Sequence, residues 1–191
     1  MVSRNPYAYL PDDFRDRAKR WRASAASFVS ETLSFVPTSI ENLMFAERPI
    51  LLMENALAHR DDGKARPAPD PFLIMQCSAL SALWLLGLYE AIRVLKETDA
   101  PTFSALRNLF IKLEIVRMPL AKHEVKSARN YRKVLHFPTG AWDQATGCVG
   151  WSVFNPNTDQ TEIHSRTDLA NEFLEITVPD PMPESPAFLW E

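Results

Sequence analysis

Glycine and cysteine are both scarce in this chain of 191 residues. It contains 5 Gly against 15 Pro, which argues against a glycine-rich phosphate loop and against a β-sandwich with many tight turns. The 2 cysteines, Cys77 and Cys148, are too few for a disulfide framework or a cysteine-based structural zinc site. Cys148 fits a small buried residue at the start of a strand better than a nucleophile. We predict no metal ion and no organic cofactor.

Several catalytic signatures are also missing. The sequence has no HExxH helix, no GxGxxG dinucleotide fingerprint and no GxSxG serine elbow. The net charge of −3 implies no partner by itself. The first ten residues lack the continuous apolar core of a secretory signal, so we expect a cytoplasmic protein.

What the chain does have is a helical spacing of apolar residues. With 46% hydrophobic and 10% aromatic residues, it is long enough to bury a sizeable core. Apolar residues recur every three or four positions from Phe14 to Phe35, which predicts a first helix. Further helices are predicted over residues 38–57 with a kink or a fresh start at Pro49, over 71–97, from 101 to a break or kink at Pro119, and over 120–136. The prediction is a mainly α fold, with a bundle of five to six helices over residues 1–140.

One stretch is long and apolar enough to be considered as a membrane-spanning helix. Phe72 to Tyr89 is 18 residues long and has no charged side chain, which is the lower limit for a spanning helix. It contains Gln76, Ser78 and Ser81, and it continues directly into a charged segment. We therefore expect a buried central helix of the bundle, apolar on nearly every side, and no membrane span.

After residue 140 the apolar period changes from helical to alternating. Val149, Trp151 and Val153 alternate with polar or small residues, and a turn-forming segment precedes a second alternating run. This pattern predicts a β-hairpin over residues 147–165 with Trp151 and Ile163 on its buried face. Together with a short helix it forms a predicted unit over residues 141–178, and residues 179–191 are predicted to be an extended proline-rich tail.

Basic residues are concentrated between Arg117 and Lys133. This segment has six basic residues and one acidic residue. Surface faces of helices usually mix both signs, so a stripe of one sign favours an anionic partner such as RNA. The stripe shares one helix face because its members recur at steps of four, three and four: Lys122, Lys126, Arg129 and Lys133.

The acidic C-terminal region supplies an alternative explanation for this stripe. Residues 155–191 contain eight acidic residues and one basic residue, Arg166. If this region packs against the basic helix, in the same chain or in a dimer mate, the stripe needs no nucleic acid. The protein would then be a non-catalytic interaction or dimerisation module. A third hypothesis, a small ligand in the bundle core near Trp84 and Tyr89, has no polar cluster to support it.

Arg117 and His123 flank a proline-containing stretch in an Arg-x5-His arrangement. This arrangement resembles the Arg-x(4–6)-His signature of the HEPN superfamily, helical bundles of which many members are metal-independent RNA endonucleases. The segment from Leu88 to Arg93, with Tyr89 and Glu90, also resembles a helix common in these bundles. The resemblance implies an RNA substrate and a homodimer in which two Arg–His pairs converge.

The chemistry of such a pair is coherent. A histidine near its ordinary pKa can take the proton of a ribose 2′-hydroxyl. An arginine can stabilise the charge that develops on the phosphate. The resemblance therefore implies that His123 is the general base and Arg117 the electrostatic catalyst. The alternatives are that His123 is a surface histidine beside Glu124 and that Arg117 pairs with Glu114.

Overall fold

The structure, a computed structural model, describes residues 12–29, 35–58, 70–122, 139–143, 147–155 and 159–178. These residues form five α-helices and one antiparallel sheet of three strands, which confirms the predicted mainly α fold with a C-terminal sheet and helix. In chain order the elements are α1 (Asp12–Ser27), α2 (Val36–Leu57), α3 (Pro71–Glu97), α4 (Phe103–Lys122), β1 (Thr139–Trp142), β2 (Val149–Asn155), β3 (Gln160–Ser165) and α5 (Arg166–Thr177).

The first two helices differ from prediction in where they stop and start. α1 ends at Ser27 and not at Phe35, since residues 28 and 29 already form a turn. α2 then begins at Val36, with Pro37 in its first turn, where a proline costs no hydrogen bond. A fresh helix start at Pro49, one of the two predicted alternatives, is wrong, while the kink stays a prediction. α2 runs through it, because Pro49 is exposed while Ile50 and Leu57 continue a buried face on the other side.

α3 packs against both α2 and α4, but only on part of its surface. Asp70 caps its start by accepting from the Phe72 amide at 2.9 Å. The indole of Trp84 donates to the Leu43 carbonyl at 3.1 Å and fixes α3 against α2. The expected buried central helix is buried on one side only, because Trp84, Leu85 and Leu88 are buried while Phe72, Met75 and Leu83 are exposed. In the described ranges, α3 is the one helix long and apolar enough to cross a membrane, and 33% of its most apolar window is buried.

α4 returns antiparallel to α3 after a tight turn in which Asp99 has a left-handed φ of 51°. Its buried residues, Leu106, Leu109 and Leu113 among them, complete the core on this side. A break at Pro119 is wrong, since α4 is continuous through that residue to Lys122, while the alternative of a kink there stays a prediction.

The sheet has the strand order β1-β2-β3, and β1 was not predicted. Val149, Trp151 and Val153 of β2 are buried, as their alternation predicts. The prediction for Ile163 is wrong, because this residue is 72% exposed. Trp151 is paired with His164, whereas Ile163 is paired with Ser152 on the outer face. A shift of one residue in register exchanges the two faces of a strand, and the alternating run in β3 does not by itself fix which face is inside.

α5 closes the core between α1 and α4. Ser165 caps it by accepting from the Asp168 amide at 3.0 Å. Phe173 stacks on Trp21 at 5.5 Å between ring centroids. The hydroxyls of Ser24 and Thr177 are 2.7 Å apart and join α1 to the end of α5.

Trp151 and Ile163 provide a test of this sheet register. Because Trp151 is 3% exposed, Trp151→Ala should lower the free energy of unfolding by about 3–5 kcal/mol. Ile163→Ala removes an exposed side chain and should change it by less than about 0.5 kcal/mol. Urea denaturation measures both values. Equal losses for the two variants would contradict the register.

Candidate functional site

Of the two residues in the Arg-x5-His motif, Arg117 and His123, Arg117 is the one among the described residues. It lies on α4 and faces α3. The carbon of its guanidinium is 4.5 Å from the ring centroid of Tyr89, and its Nη2 is 3.5 Å from Oε1 of Glu90. Its side chain is 20% exposed, and its Nε is buried.

Tyr89 gives Arg117 a rigid aromatic support. The phenol ring is buried, and it stacks on Phe110 with 5.1 Å between centroids. Burial raises the pKa of Tyr89 above its ordinary value of 10.0, so the ring remains neutral at physiological pH. A cation over the face of such a ring is stabilised by the ring quadrupole. The position of Arg117 is therefore set by packing as well as by charge.

Glu90 connects Arg117 to a second arginine. Its Oε2 accepts from Nε of Arg93 at 2.6 Å, and Arg93 also pairs with Glu97 one turn further along α3. Two arginines and two glutamates thus alternate across the surface of α3 and α4. These side chains are partly exposed, and pairs of this kind contribute little to stability. Exchanging such a pair for one with a ligand or a partner therefore costs little free energy.

The structure brings together the two segments that carry the family resemblance, since Arg117 contacts both Tyr89 and Glu90. Lys122 is the last residue of α4. The remaining predicted site residues, His123, Lys126, Arg129 and Lys133, lie outside the described residues. The proximity of Arg117 and His123 stays a prediction.

A second polar cluster, inside the protein, was not predicted. Arg166 is fully buried and lies between two buried glutamates of α2. Its Nη1 is 2.6 Å from Oε1 of Glu47, and its Nη2 is 2.6 Å from Oε2 of Glu54. Because Glu47 and Glu54 are seven residues apart, they lie on the same face of α2, two turns from each other. The guanidinium carbon of Arg166 is also 5.6 Å from the ring centroid of Trp84.

Arg17 of α1 completes the charge balance of this buried cluster. It donates to both carboxylate oxygens of Glu47, at 2.8 and 2.7 Å. The Trp21 indole donates to Glu47 at 2.6 Å. Burial acts to raise the pKa of Glu47, but the hydrogen bond from Arg17 and the charges of Arg166 and Arg17 outweigh it and hold the pKa below its ordinary value. We refer to Arg17, Glu47, Glu54 and Arg166 as the buried ion cluster.

The buried ion cluster also fixes the sheet. The amide of Val149 lies 3.4 Å from Oε1 of Glu54. Just before it, Gly147 has a φ of 73°, and a Cβ at this position would be 1.9 Å from the Glu54 carbonyl oxygen. The chain entering β2 therefore passes against the end of α2 at a distance that only glycine permits. The burial of Glu47, Glu54 and Arg166, together with the hydrogen bonds between Arg166 and the two carboxylates, indicates an architectural role for this cluster.

The sequence does contain a signal for this cluster. Positions 36, 40, 43, 47, 50, 54 and 57 of α2 recur at steps of three and four and are all buried. Five of these residues are apolar, while Glu47 and Glu54 interrupt the stripe. A glutamate in a core position of a helix requires a buried cation. Arg166, the single basic residue of the acidic C-terminal region, is that cation.

A groove of about 630 Å³ runs between α2 and α3. Its walls are mainly apolar and include Phe35, Leu43, Leu80 and Leu83. Glu90 and Arg93 also line it, so the groove shares a residue with the surroundings of Arg117.

The cysteines lie in the interior rather than in a reactive setting. Burial raises the pKa of the Cys77 thiol to about 11, which keeps it protonated at neutral pH. Cys148 is half-buried, with its Sγ 3.5 Å from the Thr167 hydroxyl. Within the described ranges, no group of three or more His, Cys, Asp or Glu side chains is arranged to hold a metal ion.

Comparisons of the chain with protein families, with curated proteins and with solved structures gave no match. The assignment of function therefore depends on the residues themselves.

The buried ion cluster predicts a specific dependence of stability on pH. Because the pKa of Glu47 is lower in the folded protein than its ordinary 4.5, its contribution is complete above that value and is lost as the pH falls through the folded pKa. Glu47→Gln should cost about 3–5 kcal/mol at neutral pH, since it leaves Arg166 and Arg17 short of a counter-charge.

The difference in unfolding free energy between wild type and Glu47→Gln should shrink as the pH is lowered from about 6 to about 3. Urea denaturation across this range measures it. The control is Asp16→Asn, because Asp16 pairs with Lys19 on the surface and its loss should cost less than about 0.5 kcal/mol. A difference that does not change with pH would contradict the role assigned to Glu47.

Proposed function

We propose that this protein is a HEPN-like helical bundle that binds RNA as a homodimer and cleaves it without a metal ion. The observation that carries the proposal is the setting of Arg117, whose guanidinium rests on the buried ring of Tyr89 and whose side chain is 20% exposed. Arginine held in this way presents a planar set of N–H donors that matches a phosphate group.

The position of Arg117 along the chain adds support. It lies in the second-last turn of α4, and α4 leads at Lys122 directly into the basic segment. In this proposal Lys122, Lys126, Arg129 and Lys133 contact successive phosphates, while Arg117 contacts the phosphate that reacts. Phosphate contacts position RNA but carry little sequence information, so binding should tolerate many sequences.

The catalytic step needs one further group. In the proposal His123 removes the proton of the 2′-hydroxyl, the resulting oxyanion attacks the adjacent phosphorus, and the 5′-oxygen of the next nucleotide leaves. Arg117 stabilises the extra negative charge on the phosphate oxygens during this attack. Glu90, 3.5 Å from Arg117, holds the guanidinium in place before RNA arrives.

A non-catalytic interaction module is the second candidate. It is supported by the exposed apolar side chains of α2 and α3, Phe72 and Leu83 among them. The ion pair between Lys112 of α4 and Glu172 of α5, at 2.8 Å, also shows that α4 can meet the acidic C-terminal region.

The RNA-binding part of the proposal is tested by measuring the affinity for mixed-sequence single-stranded RNA across a salt series. Each phosphate neutralised releases counterions, so affinity should fall steeply between about 50 and about 200 mM salt. Lys126→Glu with Lys133→Glu should weaken binding for all sequences and flatten this dependence. Absence of binding at low salt would refute the proposal and favour the interaction module.

The catalytic part of the proposal is tested by measuring the cleavage rate of the same RNA. His123→Ala should lower the cleavage rate by about 10²–10⁴-fold and leave binding nearly unchanged. Arg117→Ala should lower it by about 10²–10³-fold, with a smaller effect on affinity. The matched control is Arg107→Ala, which removes an exposed arginine from the same helix.

Two outcomes would limit the proposal. Binding without cleavage in the wild type would leave a non-catalytic RNA-binding protein. Cleavage that survives His123→Ala would remove the mechanism.

A further inference from the structure

The exposed apolar side chains of this protein are concentrated on α2 and α3. Nine large apolar residues are exposed among those that the structure describes. Phe35 and Leu83 are two of them, and both line the groove between these helices. The six that belong to α2, to α3 or to the residue that precedes α2 are Phe35, Phe45, Leu52, Phe72, Met75 and Leu83. Large apolar side chains gathered along a groove mark a binding surface.

The shape of the groove favours an extended peptide. Its α2 wall runs from Phe35 to Pro49, which is roughly 20 Å at the rise of an α-helix. Apolar side chains line most of it, and Ser39 and Asn42 add polar groups along the same wall. Long grooves with aromatic and apolar walls are typical binding sites for proline-rich segments, which are extended before they bind.

The helix α5 ends level with this groove. The hydroxyls of Thr177, its last residue, and of Ser24 in α1 are 2.7 Å apart. A short connection joins α1 to α2, and the two helices pack antiparallel, with the Trp21 indole 2.6 Å from Oε2 of Glu47. Ser24 follows Trp21 by about one helical turn, so it lies level with α2 about one turn before Glu47. This part of α2 is in the middle of the stretch that lines the groove.

The segment that follows α5, residues 179–191, has the composition and the length to occupy the groove. It lies outside the described residues and contains four prolines and the run Phe188-Leu189-Trp190. Among the segments outside the described residues, it is the one with three consecutive large apolar residues. An extended chain from Val178 to Phe188 reaches up to roughly 33 Å, about three times the diameter of a helix. It is therefore long enough to pass round the end of the bundle.

Two physical effects favour this segment over a separate partner. Prolines restrict the free segment to extended conformations, so less conformational entropy is lost when it binds. Its attachment to α5 keeps it at an effective concentration on the order of millimolar near the groove. Each aromatic side chain of the apolar run can also bury about 150–250 Å².

From this placement we propose that residues 179–191 cover the groove between α2 and α3 of their own chain, with the apolar run at 188–190 packed against Phe35 and Leu83. The segment then acts as a strap that joins the end of α5 to the outer side of the first helical pair. The inference goes beyond the proposed function, because it involves neither Arg117 nor the basic segment after it.

Photo-cross-linking in the full chain tests the strap. With p-benzoylphenylalanine replacing Trp190, irradiation should join position 190 to the peptides of α2 and α3 that line the groove, and mass spectrometry locates the cross-links. An equal mixture of isotope-labelled and unlabelled chains distinguishes contacts within a chain from contacts between copies. The proposal predicts that cross-linked peptide pairs carry a single isotope composition.

Leu83→Arg places a charge in the groove and should lower the yield of these cross-links by about tenfold or more. The matched control is Ile163→Arg, since Ile163 is 72% exposed, similar to the 65% of Leu83, but lies on the outer face of the sheet. This variant should leave the yield unchanged. Both variants change exposed positions, and circular dichroism with thermal melting will show that they fold as the wild type does.

Cross-links from position 190 that fall outside the groove would overturn the inference. Peptide pairs of mixed isotope composition would overturn it too, because they would place a second copy in the groove. So would a yield that Leu83→Arg leaves unchanged or that Ile163→Arg lowers equally. RNA affinity is measured separately, so absence of RNA binding would refute the proposed function and leave the strap standing.

Discussion

The structure depends on the burial of Arg166 between Glu47 and Glu54. Removing charged groups from water costs several kcal/mol for each ion, and that cost is recovered only when every charge has a partner in good geometry. Arg17, Trp21, the Val149 amide and the Thr167 hydroxyl donate further hydrogen bonds to the two carboxylates. A cluster of this kind adds little to stability compared with apolar packing, but it tolerates few alternative arrangements. It therefore sets how α1, α2, β2 and α5 meet.

The middle and the two ends of α3 make different contacts. Near its middle, Trp84 packs against Arg166 and donates to α2, and the helix is fixed there. Towards its C-terminal end Tyr89 and Glu90 support Arg117 of α4. The N-terminal part exposes Phe72 and Met75. One helix thus contributes to the core and to the proposed RNA site, and it also exposes apolar side chains.

The sequence predicted the elements better than their ends and faces. The three- and four-residue spacing located α1, α3 and α4, because such spacing is a direct consequence of helix geometry. Neither Pro49 nor Pro119 ends its helix, since a proline within a helix removes a single hydrogen bond that tertiary packing can offset. For Ile163, the alternating pattern predicted the strand but not its register. His164, and not Ile163, lies opposite Trp151 on the inner face. For Arg117, the resemblance pointed to both segments, while the contact with Tyr89 depends on the packing of α3 against α4.

The buried ion cluster also joins residues that are far apart in the order of synthesis. Glu47 and Glu54 precede their cation by 119 and 112 residues. Glu47 can pair with Arg17 as soon as α1 and α2 have been made, whereas the arginine that pairs with Glu54 in the described contacts is Arg166. Until Arg166 has left the ribosome, burying the Glu54 carboxylate is unfavourable, so this part of the core closes late. The final twelve-residue helix, α5, completes a core whose first half was synthesised more than a hundred residues earlier.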